Sequence, residues 1–305
     1  MDSTNPADST PCPRLHKLRV NDTELAWFER NRPRANRPTL LFVHATGYHG
    51  RVWDRIAEAF PDLHVLALEQ RGHGRSEKRR IDNWQVFGAD LAGFVAALGL
   101  ERVIGIGHSV GGHALVDAAA KSEAFARLIL LDPTILEPRA YRSPEPLEFA
   151  DGVHPVARRK QHFASAEEMA QRLLQKGAYH LFEPRILRDY CEHGLERLAD
   201  GGYRLLCPPE VEASVYMNAR SNGGVHDSVG RIRQPVLILR ARLPPPVRAP
   251  MDFSSSPTWP ALVHRFAHGR EIHLADCSHL IPMQMPDKVI AAIREAVECW
   301  PHDTR

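Results

Sequence analysis

The stretch Gly105-Ile-Gly-His-Ser-Val-Gly-Gly112 decides how this chain is read. It begins inside a short β-branched run, Val103 to Gly107, and ends where a helical pattern opens. At its centre is Gly107-x-Ser109-x-Gly111. A serine on so tight a strand-to-helix turn has strained backbone angles. Glycines two residues to either side keep strand and helix from colliding. The Ser109 hydroxyl is then held out at the carboxyl end of a sheet, over a helix N-terminus. The amide of Val110 points toward any negative charge that develops there. A glycine-rich turn with a helix-capping serine would look the same, so the flanking segments must decide.

Outward from this turn, buried-strand runs alternate with helical spacings. Thr39–Val43, His64–Leu68, Val103–Gly107 and Leu128–Leu131 are short, aliphatic and bounded by polar or turn residues. Between them, Trp53, Ile56, Ala57 and Phe60 fall at helical spacing, as do Leu91, Phe94, Val95 and Leu98. This alternation predicts an α/β fold with a parallel sheet covered on both faces. Lys17 to Glu29 reads as an antiparallel edge pair. From about Leu136 to Asp227 no buried-strand run appears. Ser165-Ala-Glu-Glu168 is a capping box, and Pro184 and Pro209 open further helices. Strands return at Val236–Leu239 and Glu271–Leu274. A last amphipathic helix carries Val289, Ile290, Ile293 and Val297.

Composition narrows the function. The 305 residues carry 39 Lys plus Arg against 37 Asp plus Glu, a formal charge of +2, which argues against nucleic acid as the main partner. No apolar stretch is long enough to span a membrane. Residues 1–13 have no apolar core and read as a disordered tail rather than a signal peptide. The five cysteines are widely spaced and odd in number, which disfavours a disulfide framework and fits reduced thiols in a cytoplasm. Seventeen histidines raise the question of metal, but there is no His-Glu-x-x-His and no tight carboxylate–histidine cluster. Neither a metal nor a cofactor is expected.

Three more segments bear on Ser109. His44-Ala-Thr-Gly47 follows the first long strand, where the amide of Thr46 can act as a second oxyanion donor. Glu69-Gln-Arg-Gly-His-Gly-Arg-Ser76 follows the next strand and reads as a structural turn. Cys277-Ser-His-Leu-Ile-Pro282 follows the last strand, so His279 lies at the same sheet edge as Ser109, where a serine needs a general base.

With these motifs in order, the chain resembles α/β-hydrolase-fold proteins of the capped serine type, from about Pro38 to Val297. The resemblance implies a mostly parallel eight-stranded sheet with a helical cap inserted after the sixth strand. The expected division is a core of residues 14–135 and 229–305 and a cap of residues 136–228. It also implies hydrolysis of a small-molecule acyl substrate. The acid of the triad departs from the common family pattern, because Arg240-Ala-Arg-Leu-Pro-Pro-Pro246 after the seventh strand holds no carboxylate. Two candidates follow. Asp132 ends the sixth strand, and Asp252 lies in the proline- and serine-rich loop. Asp132 is preferred, since a strand end holds geometry better than a loop. Arg158, Arg159 and Lys160 could attract an anionic substrate but read more simply as a solvated helix face. Carbon–carbon bond hydrolysis or a perhydrolase activity by the same residues stays open. So do a ligand-binding protein of low turnover and a homodimer.

Overall fold

Every residue of Thr39–Val43 is buried, as a strand covered on both faces requires. Its side chains alternate: Leu40 and Phe42 join one apolar cluster, Leu41 and Val43 the other. The computed structural model describes residues 12–143, 149, 152–245 and 252–300. Residues 1–11 of the expected tail lie outside them.

Eight strands form one sheet among the described residues: β1 (Arg14–Val20), β2 (Thr23–Arg30), β3 (Thr39–Val43), β4 (His64–Glu69), β5 (Val103–His108), β6 (Phe125–Leu131), β7 (Val236–Arg240) and β8 (Gly269–His273). Their spatial order is β1-β2-β4-β3-β5-β6-β7-β8. β1 pairs antiparallel with β2, and β2 with β4; the other pairs are parallel. Val43 pairs with Gly107, His108 with Leu131, and Leu131 with Leu239. This register brings the segments after β3, β5, β6 and β7 out at one edge.

On one face, α1 (Gln85–Ala97) and α2 (Val110–Ala119) bury Phe87, Leu91, Phe94 and Leu115. Between β6 and β7 lie α3 (Ala166–Leu174), α4 (Pro184–His193), α5 (Pro209–Met217) and α6 (Val225–Arg231). Val225 and Val229 of α6 join the α1–α2 cluster, so this helix runs across the expected boundary at 228/229. The opposite face is covered by α7 (Pro286–Glu298) through Val289, Ile290 and Ile293.

Two details depart from the sequence reading. The segment around Trp53 is a 3₁₀ turn, Gly50–Trp53, followed by one α turn, Asp54–Ala57, rather than one helix to Phe60. A spacing of three residues satisfies either helix type, so periodicity could not separate them. The segment expected to be purely helical also holds a small antiparallel sheet of His162–Phe163, Leu195–Arg197 and Tyr203–Leu205. Strands of two or three residues are too short to show a period. The capping box forms in altered guise. Ser165 Oγ accepts from the amide of Glu168, whose carboxylate reaches the amide of Ala164 instead of that of Ser165. Among the described residues no helix is long and apolar enough to cross a membrane.

Candidate active site

Ser109 sits between β5 and α2 with φ 56° and ψ −118°, a conformation that L-residues rarely adopt. The flanking glycines make it possible. A Cβ at Gly107 would lie 2.6 Å from the carbonyl oxygen of Gly111, and one at Gly111 would collide with the Val43 carbonyl. The Ser109 amide donates to Leu131 O at 3.1 Å, which ties the turn to the end of β6.

His279 Nε2 lies 3.0 Å from Ser109 Oγ, and its Nδ1 lies 2.6 Å from Asp132 Oδ2. Ser109, His279 and Asp132 therefore form one hydrogen-bonded chain, with Asp132 fully buried. The other carboxylate oxygen of Asp132 accepts from the Ala241 amide at 3.0 Å, Ser256 Oγ at 2.5 Å and Thr258 Oγ1 at 3.2 Å. Its backbone is in the left-handed region, φ 46°. His279 Nδ1 is taken by Asp132, while the Asp252 carboxylate accepts from the amide of Ser254 at 2.8 Å. The neighbouring Phe253 stacks on the His279 ring at 6.0 Å between centroids. Thr134 Oγ1 lies 3.0 Å from Ser109 Oγ.

Thr46 and Val110 are both buried, Thr46 in the loop after β3 and Val110 at the start of α2. Gln70 braces the first loop: its side chain donates to His44 O at 2.6 Å and its amide to His44 Nε2 at 3.0 Å. The turn after β4 is fixed in turn by Arg71, which grips both oxygens of Asp90 at 2.6 and 2.8 Å. Burial holds several nearby imidazoles neutral. It pushes His44 well below the usual histidine range, His49 and His108 to about 3, and His73 to about 4.

Ser109 and His279 open onto a cavity of about 280 Å³ whose wall includes Thr46, Gly47, Tyr179, Tyr216 and Phe253. A shallower depression of about 630 Å³ lies at the amino ends of β3, β4 and β5, around Thr39, His64 and Arg102, away from Ser109.

The run Arg158–Lys160 corrects the expectation of a solvated face. Arg158 and Lys160 are exposed, but the Arg159 side chain, 19% exposed, turns into the cavity. Its Nη1 donates to Glu212 Oε2 at 2.5 Å and its Nη2 to Tyr190 Oη at 3.2 Å. Burial opposes its charge, but Glu212 and the surrounding phenols hold its pKa well above the usual value. Neither Glu212 nor Tyr190 stands out in the sequence, because a helix interior offers no motif for a residue that faces a cavity. Folding also gathers Asp189, Glu192 and His193 on α4, a grouping the sequence reading did not find. It lies outside the cavity, and Arg185 approaches Asp189 to 3.8 Å.

Comparisons with known proteins agree with this fold. The model of the alpha/beta hydrolase family matches residues 40–292. Lipase LipV of Mycobacterium tuberculosis is 28% identical over 84% of this chain and 91% of its own length. The 2-(acetamidomethylene)succinate hydrolase of Mesorhizobium japonicum is 27% identical over 68% of this chain and 72% of its own. Among solved structures, an E-2-(acetamidomethylene)succinate hydrolase superposes with a TM-score of 0.75 at 21% identity, covering 94% of this chain and all of that one. An esterase of M. tuberculosis gives 0.66 at 18% identity over 95% and 93%. The chain belongs to the alpha/beta hydrolase family, and it is an enzyme of that fold with esterases and lipases among its relatives.

Proposed function

We propose that this protein is a serine hydrolase that cleaves a carboxylic ester, or a related acyl substrate, through an acyl-enzyme. The observation that carries the reading is the hydrogen-bonded chain Asp132–His279–Ser109 at the wall of a cavity. His279 Nδ1–H donates to the Asp132 carboxylate, which leaves Nε2 free to accept the Ser109 proton. Ser109 Oγ attacks the carbonyl carbon. The amides of Thr46 and Val110 receive the oxyanion, each such donor being worth about 3 kcal/mol. The imidazolium returns its proton to the leaving alcohol, and a water activated by the same imidazole releases the acid. No step calls for a metal or cofactor. Residues 136–228 act as the cap: Arg159, Tyr179, Tyr190, Glu212 and Tyr216 all come from this segment and line the cavity.

A second reading concerns the substrate. One relative is named for hydrolysis of a succinate derivative, and Arg159 places a guanidinium in the cavity wall. An acid-bearing acyl substrate would follow if that charge were available to it.

The experiment is turnover of an activated aryl ester together with fluorophosphonate labelling. Wild type should do both and Ser109→Ala neither, with loss of at least about a thousandfold in kcat. Full activity in Ser109→Ala would contradict the assignment.

A further inference from the structure

The charges inside the cavity determine which acyl group can enter. The charged residues described on its wall, apart from His279, are Arg159, Glu212 and Lys176. Lys176 is exposed, so its charge is largely screened by solvent. The interior holds one guanidinium and one carboxylate.

Glu212 is fixed from several directions. It lies in the first turns of α5, where the helix N-terminus favours an anion. Oε2 accepts from Arg159 Nη1. Oε1 lies directly over Gly47: a Cβ built at Gly47 would be 2.5 Å from Oε1 and 2.9 Å from Cδ. Gly47 itself needs a glycine, with φ 81°. The Tyr190 hydroxyl donates to the Gly47 carbonyl at 3.3 Å and receives Arg159 Nη2 at 3.2 Å. The carboxylate thus stands one residue from Thr46, in the wall of the cavity onto which Ser109 opens. The Arg159 charge is already paired with it. A buried ion pair is no more stabilising than apolar residues of similar volume, so packing alone does not call for one here.

We propose that Glu212 determines specificity: it makes the cavity accept neutral acyl groups and reject those that carry a carboxylate. An incoming carboxylate meets the fixed charge of Glu212 beside Gly47, and the guanidinium that could compensate is occupied. A neutral chain meets the aromatic rings of Tyr179, Tyr216 and Phe253 without that penalty. The proposal rests on the serine hydrolase reading and decides between its two substrate classes.

The test compares kcat/KM for two esters of equal chain length, p-nitrophenyl butyrate and the p-nitrophenyl monoester of succinic acid. The ratio of the two constants does not depend on how much of a preparation is folded. Wild type should favour the butyrate. Glu212→Gln leaves the guanidinium unpaired and should shift the ratio toward the succinate ester by about tenfold or more. Arg159→Gln leaves the carboxylate unpaired and should shift it the other way, with the double variant between the two. Should Glu212→Gln fail to fold, Arg159→Gln and the double variant still read the same ratio. A ratio unmoved across the folded variants, or a wild type that prefers the succinate ester, overturns the proposal while leaving the hydrolase reading intact. No turnover of either ester by wild type overturns the hydrolase reading and this proposal with it.

Discussion

Asp132 is held more tightly than any other residue of the proposed triad. One oxygen takes three donors, from Ala241, Ser256 and Thr258, and the other is left to His279. An anion so thoroughly solvated by fixed donors keeps its charge and its direction, which is what an orienting carboxylate must do. Asp132→Asn should therefore lower kcat by about 10⁴, because an amide can present its N–H to Nδ1 and trap the wrong tautomer. Asp252→Asn, whose carboxylate accepts from the Ser254 amide, should stay within a few-fold of wild type in the same ester assay. Large loss in Asp252→Asn with Asp132→Asn unaffected would reverse the roles. Much of this site was legible in sequence. Ser109, His279 and Asp132 each follow a strand, and strand ends are where an α/β sheet displays chemistry. The donors Ser256 and Thr258 were not legible, because they lie in an aperiodic loop where only three-dimensional proximity selects them. Arg159 was hidden for the opposite reason: it sits in a run of three cations of which two are solvated, and composition cannot say which one turns inward.

At the scale of the element, the β5–α2 turn leaves little room for change. It crowds Gly111 against the end of β3, where the Val43 carbonyl leaves no room for a methyl group. Gly111→Ala should cost about 3 kcal/mol or more in a urea titration, or prevent folding, since backbone rather than a side chain must give way. A loss below about 1 kcal/mol would mean that strand and helix can separate here. The inner strands were readable because both faces are covered, which yields unbroken apolar runs such as Leu40–Val43. The small sheet of the inserted segment was not, since its pairing is a tertiary event between Phe163 and Tyr203, forty residues apart along the chain.

For the whole molecule, the histidine content becomes a statement about pH. His44, His49, His73 and His108 are fully or almost fully buried and held neutral by burial, with pKa values of about 3 for His49 and His108 and about 4 for His73. Below the unfolded value near 6.5, the unfolded chain binds protons that the folded chain cannot. Stability is therefore fully present above about pH 6.5 and falls as pH drops toward the folded values. Each of these three residues should contribute a loss of about 2 kcal/mol by pH 5. Urea midpoints measured from pH 8 to 5 should be level and then decline steeply below 6.5; a flat profile to pH 5 would mean that these imidazoles gain solvent or partners on protonation. One of these histidines, His108, lies at the site: its ring is tilted against that of His279 at 5.0 Å and donates to the His279 backbone carbonyl at 2.8 Å. A neutral His108 leaves the proton that the proposed mechanism moves to His279.

A covalent acyl-enzyme on Ser109 can be trapped by rapid acid quench during turnover of p-nitrophenyl acetate and located by peptide mass spectrometry. One acetyl group should appear on the peptide that carries Ser109, formed in a burst with nitrophenol release and absent from Ser109→Ala. Steady turnover with no acetyl on that peptide, or the same burst from Ser109→Ala, would contradict it.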